Sequence, residues 1–208
     1  VLVITADGKG VPMHEKDLRE QTRKAAEKRR HKMGKRLSRG EKKDAKRMAT
    51  VAAVYTIDTF ERTPEDLLTE AGVAIAREKR PRPENKRVWA SIERSAEQVI
   101  QDAFDEACHR DPTHEKQWVA LVDGNNTQLD ILHRIAREKG LELTIIVDII
   151  HVIEYLWKAG RVFHPTSGPE LENWVRHRLL GVLEGKAGLM AGGMRRSTTR
   201  KNLSAEFR

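Results

Sequence analysis

Three apolar runs in this chain close on an aspartate: VLVITAD on Asp7, WVALVD on Asp123 and LTIIVD on Asp148. A buried strand that delivers a carboxylate at its C-terminal tip constrains the fold strongly. Open α/β sheets gather their ligands beyond the carboxyl ends of the strands. If the three strands are neighbours, acids more than a hundred residues apart along the chain meet at one rim. Such a rim suits a divalent-metal phosphoryl-transfer site better than a nucleophile triad.

The order of elements supports a sheet of this kind. VLVITADGKGVPM (1–13) reads as a strand followed by a turn at Gly8 and Gly10, MATVAAVYTID (48–58) as a second strand and KRVWASI (86–92) as a third. A helix over 63–72 carries its own signals, with Thr63 as N-cap, Pro64 in the first turn and Gly72 as a stop. REKRPRPEN (77–85) is a Pro-rich linker, and 95–109 is a helix with Val99, Ile100, Ala103, Phe104 and Ala107 on one face.

From there strand and helix alternate: strand 118–123, helix 127–140, strand 141–148, helix 150–163. Strands without intervening helices imply antiparallel pairing, and β-α-β-α order implies parallel neighbours with right-handed crossovers. The predicted fold is therefore α/β: a ribonuclease H-like mixed five-stranded sheet flanked by helices. A last helix over 170–185 stops at Gly185, ahead of a Gly- and Met-containing basic tail.

Between strands 1 and 2 the composition changes. Lys16 to Arg47 holds fifteen Lys or Arg against five Asp or Glu, an excess larger than the +8 of the whole chain. The thin apolar stripe of Ala25, Ala26, Met33 and Leu37 predicts one or two exposed basic helices, broken near Gly34 and Gly40. This arm explains why only 38% of the chain is apolar while 34% is charged. A charge run is usually a solvated face, but this one is denser than solubility requires. Each phosphate it neutralised would release counterions and give salt-sensitive, mostly non-specific DNA binding. The cations expected to hold DNA are Lys24, Lys28, Arg29, Arg30, Lys32, Lys35, Arg36, Arg39, Lys42, Lys43, Lys46 and Arg47.

Other classes are disfavoured. Cys108 is the single cysteine, which excludes an intrachain disulfide and a multi-cysteine zinc module and fits a reducing, intracellular compartment. No stretch approaches the roughly 18 apolar residues of a membrane span, so no membrane partner is expected. The chain opens inside a strand and closes on KNLSAEFR without a helix stop, so it reads as a fragment.

The aspartates each carry a plain reading beside the chemical one. Asp7 precedes Gly-Lys-Gly, where glycines leave room for a phosphate, yet an Asp-Gly pair also commonly just starts a turn. Asp123 in VDGNN is the stronger case, although Asn125 or Asn126 there also reads as the cap of the following helix. Phosphodiester chemistry uses two magnesium ions about 3.5–4 Å apart to stabilise the attacking and leaving oxygens, and magnesium prefers carboxylates. Asp148, with His151 three residues on, could face the same rim; a first-turn acid favoured by the helix dipole is the commoner outcome. Glu154 reads as solvated, Trp157, Phe163 and Trp174 as core, and Cys108 as structural.

At these residues the chain resembles the ISKra-type insertion-sequence transposases of the DDE superfamily. The stretches that carry the likeness are ADGKGVPM, LSRGEKKDAKRMATVAAVY, RTPEDLL, RPRPENKRVWASIE, WVALVDGNNTQL and VDIIHVIEYLWKAGRVFHP, which together span most of the chain. The resemblance implies a ribonuclease H-like core at 1–164, with the basic arm of 16–47 inserted, and the start of a helical insertion at 165–208.

It also implies an enzyme that cuts transposon ends and joins them to target DNA with two Mg2+ (or Mn2+) ions, self-associating on DNA in a cytoplasmic, nucleoid-associated setting. Asp7 and Asp123 would be the first and second catalytic acids and metal ligands, with Asp148 and His151 in support. The family's third acid, a glutamate beyond the insertion, has no counterpart here, so these residues alone are expected to show little transposition. A non-catalytic DNA-binding remnant and a metal-dependent phosphohydrolase of small substrates are the alternatives.

Overall fold

The computed structural model describes residues 1–28, 46–68 and 80–200. In chain order its elements are β1 (Leu2–Pro12), α1 (Glu20–Lys28), β2 (Lys46–Thr56), α2 (Pro64–Leu68), β3 (Glu84–Ser91), α3 (Ala96–Arg110), β4 (Trp118–Val122), α4 (Asn126–Glu138), β5 (Leu143–Val147), α5 (Ile149–Phe163), α6 (Pro169–Leu183) and α7 (Ala187–Arg200). They fall into two units, Val1–Ile57 with Pro83–Ile146, and Asp58–Arg82 with Val147–Arg208.

The first unit holds a five-stranded mixed sheet in the order β3-β2-β1-β4-β5. β1 pairs antiparallel with β2 and parallel with β4, and β2 pairs antiparallel with β3. Alternation along the strands builds the core. Leu2, Ile4 and Ala6 of β1, Ala52 and Val54 of β2, and Trp118, Ala120 and Val122 of β4 share one buried cluster with α3 and α4. α3 contributes Val99, Ile100, Ala103, Phe104 and Ala107, the face its spacing predicts, and α4 adds Leu132, Ile135 and Ala136.

Local signals start these helices where the sequence places them. Ser95 and Gln98 form a reciprocal capping box on α3. In the second unit Thr63 Oγ1 accepts from Asp66 N at 3.3 Å while Asp66 Oδ2 accepts from Thr63 N at 2.8 Å, an equivalent box on α2.

One expectation is corrected. Gly8 and Gly10 make no turn: β1 runs through them to Pro12, in unbroken register with β2 from Leu2↔Thr56 to Pro12↔Lys46. The reason is packing across the strands. A Cβ on Gly8 would stand 3.2 Å from Met48 Cε, and one on Gly10 would stand 3.0 Å from Lys46 Cδ, so the glycines make room for neighbouring side chains. The basic segment after Gly185 is largely the helix α7. It packs closely on α6, since Gly181 leaves space that a Cβ would contest with Met190 Sδ at 2.8 Å.

The second unit buries Leu156 of α5 against Leu171, Val175 and Leu179 of α6. Trp157 and Trp174 pack on that cluster and Phe163 stacks on Trp174 at 5.4 Å, as core aromatics should. The expected helix breaks at Gly34 and Gly40, the apolar stripe residues Met33 and Leu37, and the stop at Gly72 lie outside the described residues.

Candidate metal centre

Strand register brings the two strongest acids to the same end of one parallel ladder. β1 and β4 pair in parallel from Leu2↔Trp118 to Ala6↔Val122, and the next step of that register is Asp7 beside Asp123. Neighbouring strands lie about 4.8 Å apart, a spacing that two short carboxylates can bridge through one cation. Alternation then decides the face. Leu2, Ile4 and Ala6, like Trp118, Ala120 and Val122, turn into the helix-covered core. Asp7 is one residue out of phase with its set and lies on the opposite face, while Asp123 directly follows the last residue of β4.

Asp7 is not at a strand tip. It lies within β1, opposite Val51 of β2, and only the ladder with β4 ends beside it. Asp123 does follow the last residue of its strand. The first is exposed and the second half-buried.

Each carboxylate is oriented by the backbone. Gly8 N donates to Asp7 Oδ1 at 2.6 Å, and Asn125 N donates to Asp123 Oδ1 at 2.8 Å. Among the described residues no donor reaches either Oδ2, and neither acid has an ion-pair partner. The α4 cap is supplied by Asn125, whose side-chain oxygen accepts from Thr127 N at 3.0 Å and Gln128 N at 3.4 Å. Gly124 makes this possible at φ 88°, a conformation other residues adopt only with strain. Asp123 is thereby released from capping.

Two adjacent carboxylates repel unless a cation sits between them. Their free oxygens are hard donors suited to Mg2+ or Mn2+, which keep several water ligands. Among the described residues no group of three or more His, Cys, Asp or Glu is gathered for a metal. The two acids are the candidate ligands, and by themselves they do not make such a group.

Asp148 and His151 belong to the second unit. Asp148 is the N-cap of α5 and accepts from Ile150 N at 2.9 Å, the plain role its position allowed; His151 is half-buried in the first turn. Of the expected DNA-binding cations, Lys24 is held by Glu20 at 2.6 Å, and Lys46 is exposed and lies across Gly10. Arg47 donates Nη2 to Ile92 O at 2.8 Å. Lys28 ends α1, and Arg29, Arg30, Lys32, Lys35, Arg36, Arg39, Lys42 and Lys43 lie outside the described residues.

One cation went unremarked in the sequence. Lys9 is two residues beyond Asp7 in the same strand, hence on the same face, and the period-2 pattern of β1 would have revealed it had the strand not been ended at Gly8. Among the described residues no helix is long and apolar enough to cross a membrane. No family profile, curated protein or solved structure matches this chain.

Proposed function

We propose that this chain is the catalytic core of a DNA transposase of the ISKra type, with a ribonuclease H-like sheet, acting on transposon ends and target DNA. The observation that supports the reading is the parallel β1–β4 register from Leu2↔Trp118 to Ala6↔Val122, whose next step would put Asp7 beside Asp123. The strand order β3-β2-β1-β4-β5, antiparallel on one side of β1 and parallel on the other, is compatible with such a core.

Asp7 and Asp123 hold Mg2+ or Mn2+ through the oxygens that the backbone leaves free. Gly8 N and Asn125 N keep the two carboxylates aimed. A cation bound there stabilises charge on the attacking and leaving oxygens of a phosphodiester. The basic segment supplies salt-dependent grip on the DNA backbone; the third acid of a full site has no counterpart among the residues assigned to it, so Asp7 and Asp123 alone support little strand transfer. A non-catalytic DNA-binding protein is the second reading, favoured by the lack of a third acid beside the pair among the described residues.

Isothermal titration with Mg2+ and Mn2+ separates the two. The transposase reading expects binding heats in the parent that vanish in Asp7→Asn and in Asp123→Asn. Heats that both variants leave intact would favour the non-catalytic reading.

A further inference from the structure

β1 and β2 extend together beyond the rest of the sheet. The ladder with β4 stops at Ala6, and the ladder with β3 stops at Thr50↔Ser91. From Gly8 to Pro12 and from Lys46 to Ala49 the two strands have only each other as partners among the described residues. The result is a two-stranded ribbon that begins at the aspartate rim.

Its charge is one-sided. The ribbon residues 8–12 and 46–49 contain Lys9, Lys46 and Arg47 and no acid. Residues 13–45, which join its ends, carry thirteen Lys or Arg against six Asp or Glu. Arg47 is tied to Ile92 O, while Lys9 has no ion-pair partner among the described residues. Along the strand Lys9 stands about 6.8 Å from Asp7 on the same face. Lys9 itself is exposed, and it stands opposite Ala49 in the register.

We propose that this ribbon is the surface that holds duplex DNA against the aspartate rim, with Lys9 gripping a phosphate adjacent to the one presented to Asp7. A two-stranded β-ribbon is a shape that duplex DNA accommodates in its major groove, and a lysine on its face acts as a point charge for the backbone. The inference rests on the transposase reading for the role of Asp7, but its own content is where the DNA lies. Lys9 is a positioning residue; the acids hold the cation.

The test is fluorescence anisotropy of a labelled duplex titrated with the full chain across roughly 50–200 mM salt. Lys9→Gln should weaken binding and flatten the log–log salt slope by about 0.9, one phosphate contact, while Lys9→Arg restores the slope. Lys116→Gln, an exposed lysine just before β4 and so at the other end of that strand from Asp123, is the control and should leave the slope unchanged. An unaltered slope in Lys9→Gln, or an equal change in Lys116→Gln, would overturn the ribbon as the DNA surface. Metal titration reads the other claim separately. Heats lost in Asp7→Asn alongside an unaltered Lys9→Gln slope remove the ribbon and keep the metal pair; the converse removes the metal pair and keeps the ribbon.

Discussion

Asp123 and Asp148 have the same surroundings in sequence, an apolar strand before and a helix after, and they end in different employment. Asp148 passes directly into α5 and becomes its cap, accepting from Ile150 N. Asp123 is separated from α4 by Gly124 and Asn125, and Asn125 does the capping. Two inserted residues, one of them at positive φ, decide whether a strand-end carboxylate serves a helix or stays available to a ligand. The same residue type is structural in one unit and a candidate ligand in the other.

The largest effect should separate the two outright. Asp123→Asn and Asp7→Asn are expected to abolish divalent-cation binding, whereas Asp148→Asn, which keeps a capping side chain, should leave titration heats unchanged. Loss of binding in Asp148→Asn would break the contrast between the two aspartates.

A third aspartate sharpens it from the side of stability. Asp111 is 2% exposed and accepts from Trp118 Nε1 at 2.8 Å, Lys116 N at 3.0 Å and Glu115 N at 3.1 Å. Burial works to raise its carboxyl, but the three donors prevail and hold it below its ordinary value. Asp111→Ala should cost about 3 kcal/mol in urea unfolding, because three donors lose their acceptor. A depressed folded value means that this stabilisation is present above the ordinary carboxyl range and is lost as pH falls through the depressed value. Asp111→Asn should therefore flatten the fall of stability below about pH 4, and an unchanged acid limb would show that the hydrogen bonds do not favour the charged form.

Smaller effects test the linker. Gly124→Ala should destabilise by about 1 kcal/mol from strain at positive φ and weaken metal binding by displacing Asp123. The caps give the smallest differences. Asn125→Ala and Asp148→Ala should each cost about 1 kcal/mol, while Asn125→Asp should be nearly neutral. A neutral Asn125→Ala in thermal unfolding would mean that Asp123 can take over the cap, erasing the distinction.

Much of the first unit was legible because its signals are local and period-specific. Ser95 with Gln98, and the face from Val99 to Ala107, required only spacing and capping rules, and they fold as read. The misreading of Gly8 and Gly10 has a tertiary cause, and the glycines of α7 show the same effect. Gly8 and Gly10 look like turn residues until Met48 and Lys46 are known to lie across them, and those partners are about forty positions away in sequence. Gly188, Gly192 and Gly193 argue against a helix, yet α7 forms, with Met190 set into the space at Gly181 and Met194 against the apolar cluster of its unit. Tertiary contact overrides weak propensity at both places.

The pairing of Asp7 with Asp123 is an expectation drawn from two apolar runs that each lead into an aspartate. Whether they share a face depends on register, which no single strand encodes.

The central claim is that Asp7 and Asp123 share one cation, and Mn2+-induced line broadening in 1H–15N spectra tests it most directly. The amides of Gly8 and Gly124 should broaden together at the same Mn2+ concentration, and both should sharpen again when either aspartate becomes asparagine. Broadening at one glycine while the other stays sharp, or at both regardless of the aspartates, would contradict a shared site.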